Sequence, residues 1–70
     1  MMPITYATPG EEVIVKKVGG NPDVKRHLEN LGFTLGGSVT LISMIGGNVI
    51  VKVKESRIAL NEDMARKVMV

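Results

Sequence analysis

Residues 38–54, SVTLISMIGGNVIVKVK, decide the fold of this chain. Two segments rich in β-branched residues flank Gly46-Gly47, a combination typical of a two-residue hairpin turn whose residues adopt positive φ. In the second segment, residues 48–54, valine alternates with other residues, so one face is apolar and the other ends in two lysines. The stretch therefore predicts a β-hairpin with one face in a core.

The first strand of this hairpin, Ser38 to Ile45, does not alternate. Its apolar side chains fall on both faces, more than one face can bury. Three explanations are open. The second apolar face is a docking surface, the inserted helix covers it, or a β-bulge rotates the register of the strand. The docking hypothesis, extended to nearby cations, assigns the partner surface to Leu41, Ile42, Met44, Lys52, Lys54 and Arg57.

An α-helix is predicted before the hairpin, over about residues 22–31. Asn21 is suited to cap its first turn, Pro22 suits the first helical position, and Gly32 is placed to close the C-terminus. One apolar stripe runs along the segment at helical spacing and is formed by Val24, Leu28 and Leu31.

Short strands are predicted in the rest of the chain. They cover Glu12 to Val18, Ser56 to Leu60 and Arg66 to Val70, with a helical turn at about residues 61–65. Short antiparallel strands protect their edges by curling into a barrel, whereas a two-layer sheet needs more helices to cover it. The predicted fold is a mainly β, SH3-like barrel with one inserted helix lying across one opening.

Composition indicates one small domain over residues 1–70. A core of this size leaves about 3–5 kcal/mol of stability. The chain has no cysteine, so neither a disulfide nor a thiolate zinc site can stabilise it further. No stretch is apolar enough to insert into a membrane, and the N-terminus does not resemble a signal peptide, so we expect a cytoplasmic location. The net charge of +2 is too small to indicate a partner.

Residues suited to catalysis or metal binding are few. His27 is the only histidine, and no cysteine is available as a nucleophile. Asp23 and His27, four residues apart on the helix, can share a divalent ion, but zinc requires three or four ligands. A third ligand is available only if the fold brings Glu62 or Asp63 close. We predict no catalytic, cofactor-binding or metal-binding residue and no enzymatic activity, with weak or transient divalent metal binding left open.

Nucleic-acid binding is a further alternative, because small β-barrels often bind RNA. Such surfaces combine aromatic stacking platforms with a basic groove. The chain has two aromatic residues, Tyr6 and Phe33, and neither lies beside a basic run in a strand. We therefore rank nucleic-acid binding third, after protein docking and metal binding.

The segment LGFTLG at residues 31–36 resembles a motif of the FeoA family, in which a helix ends in Leu-Gly and a second glycine opens a strand. Two departures affect turns: Leu35 stands where the family usually has proline, and a glycine common near the last region is replaced around Glu55. The remaining matches, in family order, are Pro9-Gly10, Arg26-His27-Leu28, Ile58-Ala59-Leu60, Ala65 and Val68-Met69-Val70.

The resemblance implies a small cytosolic accessory protein of bacterial ferrous-iron transport with an SH3-like barrel fold. It implies that the protein acts by docking onto the cytosolic side of the membrane permease FeoB, without inserting into the membrane. The alternative that it implies is a transition-metal-binding or metal-responsive module, since related barrels occur at the C-terminus of repressors of the diphtheria-toxin-repressor type. A homo-oligomer is left open.

Overall fold

The computed structural model describes residues 1–70, which form a mainly β barrel with one inserted helix. In chain order the elements are a 3-10 turn (Ile4–Tyr6), β1 (Glu12–Ile14), β2 (Lys17–Val18), α1 (Pro22–Asn30), β3 (Ser38–Ile45), β4 (Asn48–Val53), β5 (Ser56–Asn61), α2 (Glu62–Ala65) and β6 (Val68–Met69). One antiparallel sheet has the order β1-β3-β4-β5, and β2 pairs with β6 in a second. Neither helix is long and apolar enough to cross a membrane. The predicted fold class is confirmed.

The barrel is closed by β6, which lies between β2 and the first residues of the chain. The N–H of Met2 donates to the carbonyl of Val70 at 2.9 Å, and the N–H of Val70 donates back at 2.7 Å. On the other side the N–H of Lys16 donates to the carbonyl of Met69 at 2.8 Å. The predicted strand over residues 12–18 is therefore divided, because the chain leaves β3 and turns to β6 halfway along.

The core is almost wholly aliphatic, as the composition requires. Fifteen buried residues form one cluster, and Phe33 is its only aromatic member. β4 contributes Val49, Val51 and Val53, the three alternate residues that the sequence placed on one face. The 3-10 turn contributes Ile4, which is fully buried and was not predicted. Its burial depends on the pairing of the N-terminal residues with β6, a contact that no local pattern reveals.

Helix α1 begins as predicted and ends one residue earlier. The side-chain oxygen of Asn21 accepts a hydrogen bond from the N–H of Val24 at 2.9 Å, which satisfies a donor of the first turn. Leu28 is fully buried, while Val24 and Leu31 pack against the core as partly buried neighbours. The apolar stripe thus attaches the helix to the barrel.

The end of α1 is a Schellman motif. The N–H of Gly32 donates to Glu29 and the N–H of Phe33 donates to Leu28, both at 3.0 Å. Gly32 has a φ of +111°, and a Cβ at this position would lie 2.7 Å from Cγ1 of Val53. Glycine is therefore required at residue 32 both by the backbone conformation and by the close approach to β4.

A β-bulge explains the mixed apolar pattern of β3. Leu41 pairs with Val51 and Ser43 pairs with Ile50, so Ile42 is an extra residue without a partner in β4. The structure thus contains the β-bulge that the sequence left open as one explanation, and a bulge is compatible with a docking surface beyond it. Beyond the bulge the strand continues in a rotated register, which increases its local twist.

We predict that Leu28→Ala lowers the free energy of unfolding by about 2–5 kcal/mol, because it leaves a cavity under the helix. A domain of this size holds about 3–5 kcal/mol in total, so the variant should be largely unfolded. Urea denaturation followed by circular dichroism measures the loss. The control is Lys25→Ala on the exposed face of α1, which should change stability by less than about 0.5 kcal/mol. A loss of less than about 0.5 kcal/mol for Leu28→Ala would show that Leu28 does not anchor α1 to the barrel.

Candidate functional site

The structure does not bring the predicted docking residues onto one surface. Leu41 is 1% exposed, so the prediction that it lines a docking surface is wrong. The bulge lies after Leu41, which leaves this residue paired in the regular part of β3 with its side chain in the core. Ile42, the bulged residue, is half-buried, and Met44 beyond it is 50% exposed.

Met44 and Ile45 are both exposed at the tip of the β3–β4 hairpin, which we call the hairpin end. Ile45 is 67% exposed and was not among the predicted docking residues. The carbonyl of Gly47 in the hairpin turn accepts a hydrogen bond from the N–H of Glu62 at 3.1 Å, so α2 begins beside this tip. Helix α2 in turn contacts the 3-10 turn that carries the exposed Tyr6. The elements at this end of the barrel therefore expose several large apolar side chains.

Three exposed cations lie where β4 turns into β5, at the end of β4 away from the β3–β4 hairpin turn. We call them the cation cluster: Lys52, Lys54 and Arg57. Lys52 is directly opposite Arg57 in the β4–β5 ladder. Like charges in this position destabilise a sheet. Neither charge is neutralised, because both ion pairs of the structure are made by Arg66.

Lys54 is the only non-glycine residue with a positive φ, at +57°. It occupies the first position of the two-residue turn, Lys54-Glu55, that joins β4 to β5. An L-residue in this conformation costs about 1–2 kcal/mol because its Cβ crowds the following carbonyl oxygen. This turn contains Glu55, around which a glycine common in the FeoA family is replaced. The strained residue, Lys54, is the neighbour of Glu55.

A polar groove of about 230 Å³ runs between the loop after α1 and the outer face of the sheet. It has no apolar lining residue. The side chains that line it include Glu12, Thr34, Ser38, Thr40, Lys52 and Lys54. The groove offers hydroxyl and ammonium donors beside the single carboxylate of Glu12, and two members of the cation cluster border it.

The predicted metal-ligand candidates do not converge. No three side chains of His, Asp or Glu come together in a group that could hold an ion. Asp23 and His27 are both exposed on α1. Glu62 and Asp63 instead pair with Arg66, at 2.8 and 3.3 Å.

The two aromatic residues are also separated. Phe33 is fully buried in the core, and Tyr6 alone is exposed. A stacking platform for nucleic-acid bases usually combines several exposed aromatic side chains with a basic groove. The cation cluster is therefore a basic surface without an aromatic platform.

The fold places the chain among the small SH3-like barrel modules. The family model described as the FeoA domain matches residues 2–70. A relative from Methanocaldococcus jannaschii, named "Putative Fe(2+) transport protein A", is 37% identical over 70 residues, which are 100% of this chain and 85% of the relative. The chain belongs to the FeoA family, as its resemblance to the family's motifs indicated.

Solved structures agree with this assignment. FeoA of Stenotrophomonas maltophilia, a procaryotic SH3 domain protein complexed with zinc, superposes with a TM-score of 0.80 at 27% identity and covers 99% of this chain and 87% of its own. A manganese-dependent transcriptional repressor superposes with a TM-score of 0.82 at 14% identity, covering 97% of this chain and 39% of the repressor. The second likeness shows a shared fold alone. The predicted SH3-like barrel is confirmed.

We predict that Lys54→Gly raises the free energy of unfolding by about 1 kcal/mol, because glycine relieves the positive φ. The matched control is Glu55→Gly in the same turn, where φ is not positive and glycine only adds entropy to the unfolded chain. Urea denaturation should therefore move the two midpoints in opposite directions. Equal destabilisation by both substitutions would show that residue 54 is not strained.

We predict weak binding of divalent metals, because Asp23 and His27 supply only two ligands. Titration calorimetry with Fe(II), Mn(II) and Zn(II) should give dissociation constants of about 0.1 mM or weaker. His27→Ala is the control variant. Stoichiometric binding at about 1 μM that disappears in this variant would instead establish a metal site on α1.

Proposed function

We propose that this protein is a non-enzymatic accessory module of ferrous-iron uptake, which docks its hairpin end onto the cytosolic side of a FeoB-type permease. Membership of the FeoA family supports the role in iron transport. So do the names of its relatives, since one is named as an Fe(2+) transport protein and another is described in terms of ferrous-iron transport activation. The proposed location is the cytoplasm.

The observation that carries the docking role is the exposure of Met44 and Ile45 beyond the bulge. Large apolar side chains exposed close together at one end of a small protein are typical of sites of association. Burial of the exposed part of each of these side chains contributes about 1–2 kcal/mol, and two of them suit a reversible contact. Neither is needed to complete the core, since the cluster of buried residues closes without them.

The size of the barrel limits how it can dock. One side of a standard protein interface buries about 800 Å², which is roughly a fifth of the 4311 Å² surface of this chain. A stable contact must therefore occupy most of one end of the barrel, including α2 and the 3-10 turn beside the hairpin. A smaller contact confined to the hairpin end would be transient.

A metal-responsive role is the second candidate function. It is favoured by the zinc complex of the Stenotrophomonas protein and by the exposed Asp23 and His27 on α1. The titration of divalent metals described above distinguishes it from a pure docking role.

We expect Met44→Glu and Ile45→Glu to remain folded and to lose capture of a FeoB-type permease from detergent-solubilised membranes. The physical reason is that each substitution places a charge in a contact that must exclude water. Capture is quantified by identifying and measuring the permease, and circular dichroism checks the fold.

The matched control is Leu35→Glu, because Leu35 is 69% exposed and lies in the loop after α1, away from the hairpin. This variant should capture the permease as well as the unchanged protein does. If all three folded variants capture it equally, the hairpin end is not the docking surface. If the unchanged protein captures no permease, the proposed partner is wrong.

A further inference from the structure

Strand β5 is an open edge of the four-stranded sheet. It is the last strand in the order β1-β3-β4-β5 and has a hydrogen-bonded neighbour on one side only. Its pairing with β4 continues over six residue pairs without a register shift. The edge is therefore as regular as an interior strand, and it can serve as a template for another strand.

The direction of the free backbone groups follows from the turn. Val53 and Ser56 close a two-residue turn, so they form a hydrogen-bonded pair, and hydrogen-bonded and non-hydrogen-bonded pairs alternate from there. Arg57 and Ala59 fall on the non-hydrogen-bonded pairs, so their N–H and C=O groups point away from β4. Neither residue makes a backbone hydrogen bond to a loop, turn or cap, and both are exposed.

The features that usually protect an edge are scarce on β5. Natural edges carry proline, several charged side chains, bulges or a covering segment. β5 has no proline and no bulge, and Arg57 is its only charged residue. The strand thus offers a ladder of unpaired backbone groups to an extended segment.

Three cations and one acid lie beside this edge, so its net charge is positive. Lys52 lies opposite Arg57 on the same face, and Lys54 and Glu55 form the turn at one end of the strand. Neither Lys52 nor Arg57 has a carboxylate partner. Their mutual repulsion opposes folding, and negative charge bound beside the pair compensates it.

We propose that the free edge of β5 receives an extended acidic segment of a partner protein as an additional strand, with carboxylates of that segment beside Lys52, Lys54 and Arg57. Main-chain hydrogen bonds to Arg57 and Ala59 supply the register, and the cation cluster selects the charge of the segment. A second copy of this chain is a poor occupant, because its own β5 carries no carboxylate that could lie beside the cation cluster. The proposal deepens the docking function and rests on it only for the identity of the partner.

The test uses three labelled peptides of about eight residues, which is within the usual range of strand lengths and long enough to span β5. In the first, Glu alternates with Val; in the second, Lys replaces Glu; the third has the composition of the first except for one central proline. Fluorescence anisotropy should show that the first peptide binds at least about tenfold more tightly than the other two. Amide resonances of Arg57 and Ala59 should shift when it binds.

Arg57→Glu should weaken binding of the first peptide at least about tenfold. Lys25→Glu on the exposed face of α1 makes the same change in net charge and should leave binding within about twofold. Circular dichroism confirms that both variants are folded. The proposal is overturned if the proline peptide binds equally well, if both variants lose the same affinity, or if no peptide binds below about 1 mM.

Sedimentation tests the remaining possibility, that a second copy of this chain occupies the β5 edge. A dimer of the free protein that dissociates in Arg57→Glu would show that a second copy covers β5, which also overturns the proposal. The permease takes no part in these measurements. A failure here therefore leaves permease docking at the hairpin end in place, and a failure of permease capture leaves the acidic-strand site in place.

Discussion

The absence of a side chain at Gly32 lets the end of α1 approach β4, and the arrangement of the barrel depends on that contact. The Cα of Gly32 approaches Val53 so closely that a Cβ would lie 2.7 Å from Cγ1 of the valine. The same residue turns the chain so that the N–H of Phe33 reaches the carbonyl of Leu28. The side chains of Leu28 and Phe33 then enter the core, where both are fully buried. A side chain at residue 32 would separate the helix from the sheet and expose Leu28 and Phe33 together.

Sequence predicts those parts of the fold in which local signals agree with the tertiary structure. Asn21 and Gly32 mark the two ends of α1 by their own chemistry, and the alternating valines of β4 need no other strand to define their face. The 3-10 turn was not predictable, because the burial of Ile4 depends on backbone pairing between the two ends of the chain. The division of the predicted strand at residues 12–18 has the same origin, since its two halves pair with different strands.

The candidate site was predictable in part, for a related reason. The position of Lys52 opposite Arg57 follows from the turn length once the hairpin is assigned. The burial of Leu41 and the exposure of Ile45 depend on where β3 absorbs its extra residue, and several apolar residues in a row do not specify that position. The positive φ of Lys54 has no signal in the residue itself, because glycine is the usual residue in that conformation; the only indication was the family glycine that is replaced around Glu55. These surface properties come from strand register and turn conformation rather than from residue type.

The bulge at Ile42 separates the part of β3 that serves the core from the part that faces outward. On one side of it, Val39 and Leu41 stay paired with Val53 and Val51 in the barrel wall. On the other side, the extra twist sets the direction of the hairpin tip. Gain or loss of a single residue at this point can therefore re-aim the tip while the buried pairs keep their partners. In evolutionary terms, such a barrel can change the surface that its hairpin reaches without passing through an unstable core.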